Sequence, residues 1–240
     1  MWMGWRAPLT AAAQLLGKDA AFESLHPRGE TTDASTPGSF APKNDASDNA
    51  PVPTDPAAQR ALVYHTTREM GFTKASRVRF LSQPSDHPHS FAAYHPDTDE
   101  IEIYPRLFDS PEIKTQAQVR GVLAHEIMHR NYQHVLELYQ GGNYLARQTL
   151  EKYFRDKDFF FRLRDADGVT PYSAQHWIAA AGVQSNEQYD DMARVAIEET
   201  IAEIARRRVT GRATLPARSK VWDEYYNDIV RVYNQIPIPE

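Results

Sequence analysis

The stretch GVLAHEIMHRNYQH, residues 121–134, places three histidines and a glutamate within ten positions. Its centre is His125-Glu126-Ile127-Met128-His129. On a helix, residues four apart lie one above the other on the same face. Two imidazoles so placed can hold one metal ion, and Glu126, one residue on, stands beside that face without being a ligand. The set suits hydrolysis. The ion lowers the pKa of a water molecule toward neutrality, and the carboxylate takes its proton as the water attacks a carbonyl. A plain amphipathic helix with surface histidines is the competing reading.

Two histidines leave a catalytic zinc one protein ligand short. His134 lies about half a helical turn round from both and reads as a surface or partly packed residue. No glycine lies between His129 and His134, so an extended H-E-x-x-H-x-x-G-x-x-H arrangement is absent. The run ARVAIEETIAEIARRR, 193–208, offers a better donor. It reads as a helix with Ile197, Ile201, Ile204 and Ala205 on one side and Glu199 and Glu203 on another. Glu199 is the expected third ligand, with Glu198 as the alternative, because a small rotation of the helix exchanges the two. Glu203, one turn on, is expected to accept a hydrogen bond from the outer nitrogen of a ligating imidazole, which orients the ring and raises its basicity. A solvated acidic face paired with Arg206 and Arg207 is the other reading of these glutamates.

The surrounding pattern supplies elements to hold these residues. AAQRALVYHTTREMGF, 57–72, reads as a helix ended by Gly71. SRVRFLSQ, 76–83, alternates like a strand. FAAYHPDTDEIEIYPRLF, 91–108, reads as a β-hairpin turning at PDTD. A helix over 114–138 carries the histidines, and Gly141-Gly142 breaks it. Further helices are expected near 143–160, 173–181, 186–209 and 217–234. A helix, then strands, then mostly helices makes an α+β domain. It spans 57–240, behind a Pro/Ser/Asp-rich disordered linker over 27–56 and a short helical segment over 1–26.

The chain has 240 residues, a net charge of -5 and no cysteine. Disulfides and thiolate metal sites are therefore excluded. The charge makes nucleic acid an unexpected partner. No apolar run approaches the roughly 20 residues of a membrane span, so none is expected. The chain is expected to be soluble, either cytoplasmic or exported by a route without a recognisable signal peptide. Its oligomeric state does not follow from the sequence.

His125, Glu126, His129, Glu199 and Glu203 together resemble the gluzincin group of zinc metallopeptidases. Glu199-Thr-Ile-Ala-Glu203 is similar to the Glu-x-x-Ala-Glu helix of lethal-factor-like peptidase domains. The likeness spans about 57–210. It implies a zincin-like fold: a small twisted sheet with the active-site helix in an N-terminal lobe, and a helical C-terminal lobe. It implies a zinc-dependent endopeptidase, with Glu126 as general base and a protein or peptide substrate lying extended along an edge strand within 90–104. A catalytically inactive zincin-fold interaction module is the alternative, and an adaptor whose helix merely contains histidines is a third reading. The chain departs from the family at Arg130, where an uncharged residue is usual. No motif marks the family's oxyanion-stabilising residue; Tyr189 and His176 are the candidates.

His87 and His89 are spaced for a second metal, but their Pro- and Ser-rich surroundings suggest a loop. Phe159, Phe160 and Phe161, set among basic residues, could stack on nucleic acid, but packing in the C-terminal lobe is the favoured reading. Trp177, Trp222, Tyr225 and Tyr226 read as core or rim aromatics.

Overall fold

The computed structural model describes residues 49–82, 90–155, 159, 162–163, 185–210, 220–236 and 238. Asp55 accepts the Ala58 amide at 2.8 Å and Pro56 occupies the first turn, so helix α1 starts there and runs Pro56–Glu69. A side-chain cap and a residue lacking an N–H both suit a helix start. Gly71 then takes φ +85°, the left-handed conformation that reverses the chain after α1.

Three short strands follow: β1 (Val78–Phe80), β2 (Ala92–His95) and β3 (Glu100–Ile103). The sheet order is β1-β3-β2, with β3 parallel to β1 and antiparallel to β2. Ile101 and Ile103 of β3 are fully buried while Glu100 and Glu102 alternate outward, the pattern of a sheet with one packed face. The expected hairpin thus forms, but its second arm stops early. Residues 106–109 form a short helix, α2 (Arg106–Asp109). Pro105 precedes it with φ -53°, and a proline lacks the N–H that a longer ladder needs.

Helix α3 (Gln116–Gln140) is the long central element. Thr115 accepts the Gln118 amide and the Gln118 side chain accepts the Thr115 amide, a reciprocal cap that sets its start. Gly141 and Gly142 end it, as expected, and α4 (Tyr144–Phe154) follows. Helices α5 (Asn186–Val209) and α6 (Lys220–Gln235) follow. The architecture is α+β, mostly helical with one small sheet.

Two apolar cores meet along α3. Its first half contributes Val119, Val122, Leu123, Ala124 and Ile127 to a core shared with α1 and the sheet. Its second half contributes Met128, Tyr132 and Val135 to a core built with α4, α5 and α6. Each fully buried aliphatic or aromatic side chain is worth about 1.5–3 kcal/mol, so α3 is held along both halves. Residues 125–129 lie where the two cores join. Phe159, Trp222, Tyr225 and Tyr226 are all buried in the helical core, so for Phe159 the packing reading holds. Phe160, Phe161, Trp177, the segments 1–48 and 211–219, and the helix expected over 173–181 lie outside the described residues. Residues 50–53, counted with the linker in the sequence, lie against the start of α3: Pro51 bridges Thr115, and the Val52 amide bonds the Lys114 carbonyl at 3.2 Å.

Candidate metal centre

Helix α5 packs along α3, and this contact assembles the site. At one end, Gly121 has no side chain, and Arg206 of α5 and Thr210, just past the end of that helix, come close above it. One turn further along α3, His125 faces Glu199; a second turn brings His129 against both Glu198 and Glu199. The two helices therefore run in opposite directions past each other.

The atoms His125 Nε2, His129 Nε2 and Glu199 Oε2 form a triangle with sides of 3.1, 3.3 and 3.8 Å. A circle through its corners has a radius of about 2.0 Å, the bond length that imidazole and carboxylate ligands keep to a zinc-sized ion. One point can thus lie at coordination distance from all three donors. His125, His129 and Glu199 form a group that can hold a metal ion. Their side chains are 19%, 13% and 13% exposed, so none of the three is fully sealed from solvent.

The electrostatics favour a cation. Burial opposes charge on His129, but the carboxylates of Glu199 and Glu198 outweigh it and push its pKa up to about 9. The negative field that holds a proton there would also hold a metal dication. Glu198 does not point at the three-atom centre. Its Oε1 lies 2.9 Å from His129 Nδ1, the outer ring nitrogen, and its Oε2 accepts from Gln133 Nε2 at 3.0 Å. A carboxylate on Nδ1 fixes the ring and leaves Nε2 as the ligand atom. Gln133 lies one helical turn after His129, so 125, 129 and 133 form a single ladder on α3.

Glu203 has different partners. Arg206 Nε lies 2.6 Å from its Oε2, and Arg207 Nε 3.2 Å from its Oε1. Burial raises its pKa, but Arg206, His125 and Arg207 outweigh this and leave it below the ordinary carboxylate value. The carboxylate bonded to an outer imidazole nitrogen is Glu198, not Glu203.

Glu126 sits between the metal donors and the sheet. Its Oε2 accepts the backbone N–H of Tyr94 at 3.0 Å. Phe91 gives its carbonyl to the Tyr104 amide, so by strand alternation residues 92 and 94 turn their backbone groups away from β3. Tyr94 is thereby free to serve α3. Burial raises the Glu126 pKa, and the neighbouring imidazoles only partly offset it.

Comparison with protein-family profiles, with characterised proteins and with solved structures finds no match. The geometry therefore stands alone.

His134 stands apart from the donors. Its Nε2 lies 2.9 Å from the carbonyl of Ile236, and its ring packs edge-on to Tyr233. His87, His89, His176 and the side chain of Tyr189 lie outside the described residues. Arg130 turns toward the hairpin: its Nε and Nη2 meet the Asp99 carboxylate at 2.5 and 2.8 Å, and its guanidinium lies 4.8 Å above the Phe72 ring. Gly121, Gln133, Tyr94 and Asp99 carried no site role in the sequence reading. For Gln133, the i+4 spacing from His129 was a usable signal; for Tyr94 and Asp99, no local signal exists.

Proposed function

We propose that the chain is a zinc-dependent endopeptidase of gluzincin type. The observation that carries this reading is the convergence of His125 Nε2, His129 Nε2 and Glu199 Oε2 around one point, with Glu126 beside it. A helix on the sheet, an edge strand beside that helix, and a helical second half also support a zincin-like fold. His125, His129 and Glu199 would hold the zinc, which supplies Lewis acidity and a water acidified toward neutral pH.

The chain's own groups do the rest. Glu198 keeps the His129 ring in the tautomer whose Nε2 is free to ligate. Glu126 takes the proton of the attacking water and returns it to the leaving amine. Burial raises the Glu126 pKa toward the range in which it can do both. Strand β2 is a sheet edge, and an extended peptide could add to it as a further strand through its outward backbone groups other than the Tyr94 amide, which Glu126 takes.

The test compares wild type with Glu126→Gln on a broad peptide library, with zinc per chain measured on both. Cleavage by wild type, and loss of cleavage with zinc retained in the variant, is the expected result. Equal cleavage by the two proteins would sink the reading.

A further inference from the structure

Arg130 is where the sequence departs from the gluzincin pattern, and its surroundings give the departure a purpose. Glu126 and Arg130 are one turn apart on α3 and both face the β2–β3 hairpin. Each is bonded to it. Tyr94 donates its amide to Glu126, and its hydroxyl to Asp99 Oδ1 at 3.3 Å. Asp99 in turn takes two hydrogen bonds from Arg130 and an ion pair from Arg77. The links close a ring: Glu126, one turn of α3, Arg130, Asp99, Tyr94, and back to Glu126.

Three features show that the ring is built. Asp99 has φ +52°, a left-handed conformation that an aspartate tolerates better than most residues, at the last position of the turn. Arg130 is only 8% exposed, and its guanidinium is fixed from behind by Phe72. Glu126 has one oxygen tethered, while no described residue donates to its Oε1.

We propose that Asp99 and Arg130 are positioning residues for Glu126. By locking the hairpin to α3, they hold the Tyr94 amide against Oε2, which fixes the carboxylate and leaves Oε1 for proton transfer. The catalytic part of this inference rests on the peptidase reading; the geometric part does not.

The test is native-state hydrogen exchange on the uniformly 15N-labelled full chain, followed by NMR. The Tyr94 amide is the reporter. The Leu81 and Tyr104 amides, which bond the Ile103 and Phe91 carbonyls, report on the sheet itself. Glu126→Ala sets the limit for an unbonded Tyr94 amide. Asp99→Asn and Arg130→Met are expected to speed Tyr94 exchange by about tenfold, the scale of one hydrogen bond to a charged group, with Leu81 and Tyr104 unchanged. Tyr94→Phe, which removes only the hydroxyl link, should speed the amide at position 94 by a smaller factor, and it decides the matter if the other two variants fold poorly.

Unchanged exchange at position 94 would overturn the proposal. So would equal acceleration of all three amides, which would make the ring a general support of the sheet. On a cleaved peptide, Asp99→Asn should lower kcat with KM and zinc content unchanged. A wild type that binds zinc but cleaves nothing would remove the peptidase reading and leave the exchange result standing.

Discussion

Gly121 and Thr210 stand so close that a methyl group added to Gly121 would fall 2.6 Å from Thr210 Cγ2. The Thr210 hydroxyl is bonded to the carbonyls of Arg206 and Arg207, so its rotamer is fixed. The approach sets how near α5 comes to α3, and through that the distance from Glu199 to the two imidazoles.

Gly121→Ala should therefore weaken metal binding although position 121 touches no metal donor. An alanine in a helix ordinarily gains about 1 kcal/mol over glycine, but overpacking costs about 1–3 kcal/mol, and here the clash is between fixed groups. A lower melting temperature and weaker zinc affinity are expected. Thr210→Ser, which removes Cγ2 and keeps the hydroxyl, should restore both in the double variant. Calorimetry and chelator competition check this; no recovery would show that the contact does not set the spacing.

The two glutamates flanking the Glu199 position should separate cleanly. Glu198→Gln should lower zinc affinity by about 10- to 100-fold, the usual cost of losing a carboxylate behind a ligating imidazole. Glu203→Gln should leave affinity near wild type and lower thermal stability, because its carboxylate serves Arg206 and Arg207. Chelator titration of both variants measures the order; the reverse order would return the outer-nitrogen role to Glu203.

Asp99 should make stability fall in acid. Burial raises its pKa, but the hydrogen bond and charge of Arg130 and the charge of Arg77 outweigh burial and leave it below the ordinary aspartate value. A carboxyl depressed in the folded state stabilises the fold above its unfolded pKa of about 3.9. That contribution disappears as pH falls through the lower folded value. Melting curves of wild type and Asp99→Asn should differ at pH 6 and converge as the pH drops below about 4. Parallel curves at every pH would show that the charge contributes nothing.

Glu126→Gln keeps an oxygen for the Tyr94 amide, so on the proposed peptidase reading the site should stay in place while the general base is lost. A fall in hydrolysis of about 10²- to 10⁴-fold is expected, with metal content unchanged. Loss of the metal along with the activity would make Glu126 a structural support of the centre.

What the sequence made legible was local. The i, i+4 spacing of His125 and His129, the break at Gly141-Gly142 and the turn at PDTD each depend on neighbours in the chain. The structure places these elements close to where the pattern puts them. What stayed hidden depends on contacts between distant segments. Whether Glu198 or Glu203 reaches an imidazole is decided by the rotation of α5 against α3, which the Gly121 contact constrains. Arg130 looked like an anomaly because its partner lies 31 residues upstream in a turn. The parallel pairing of β1 with β3 likewise has no local signature. His134, which the spacing alone makes a surface or partly packed residue, bonds a carbonyl 102 residues away.

The donors come from two distant stretches of the chain. His129 and Glu199 lie 70 positions apart (199 − 129), and a cation shared between α3 and α5 would tie those stretches together. In a chain with no cysteine, it would act as the cross-link that disulfides supply elsewhere. Closing a loop of that length removes about 4 kcal/mol of unfolded-chain entropy in the simplest treatment. The ion would then be a clamp on the whole helical half as well as a reagent, and chelation would loosen α5 from α3 along its entire length.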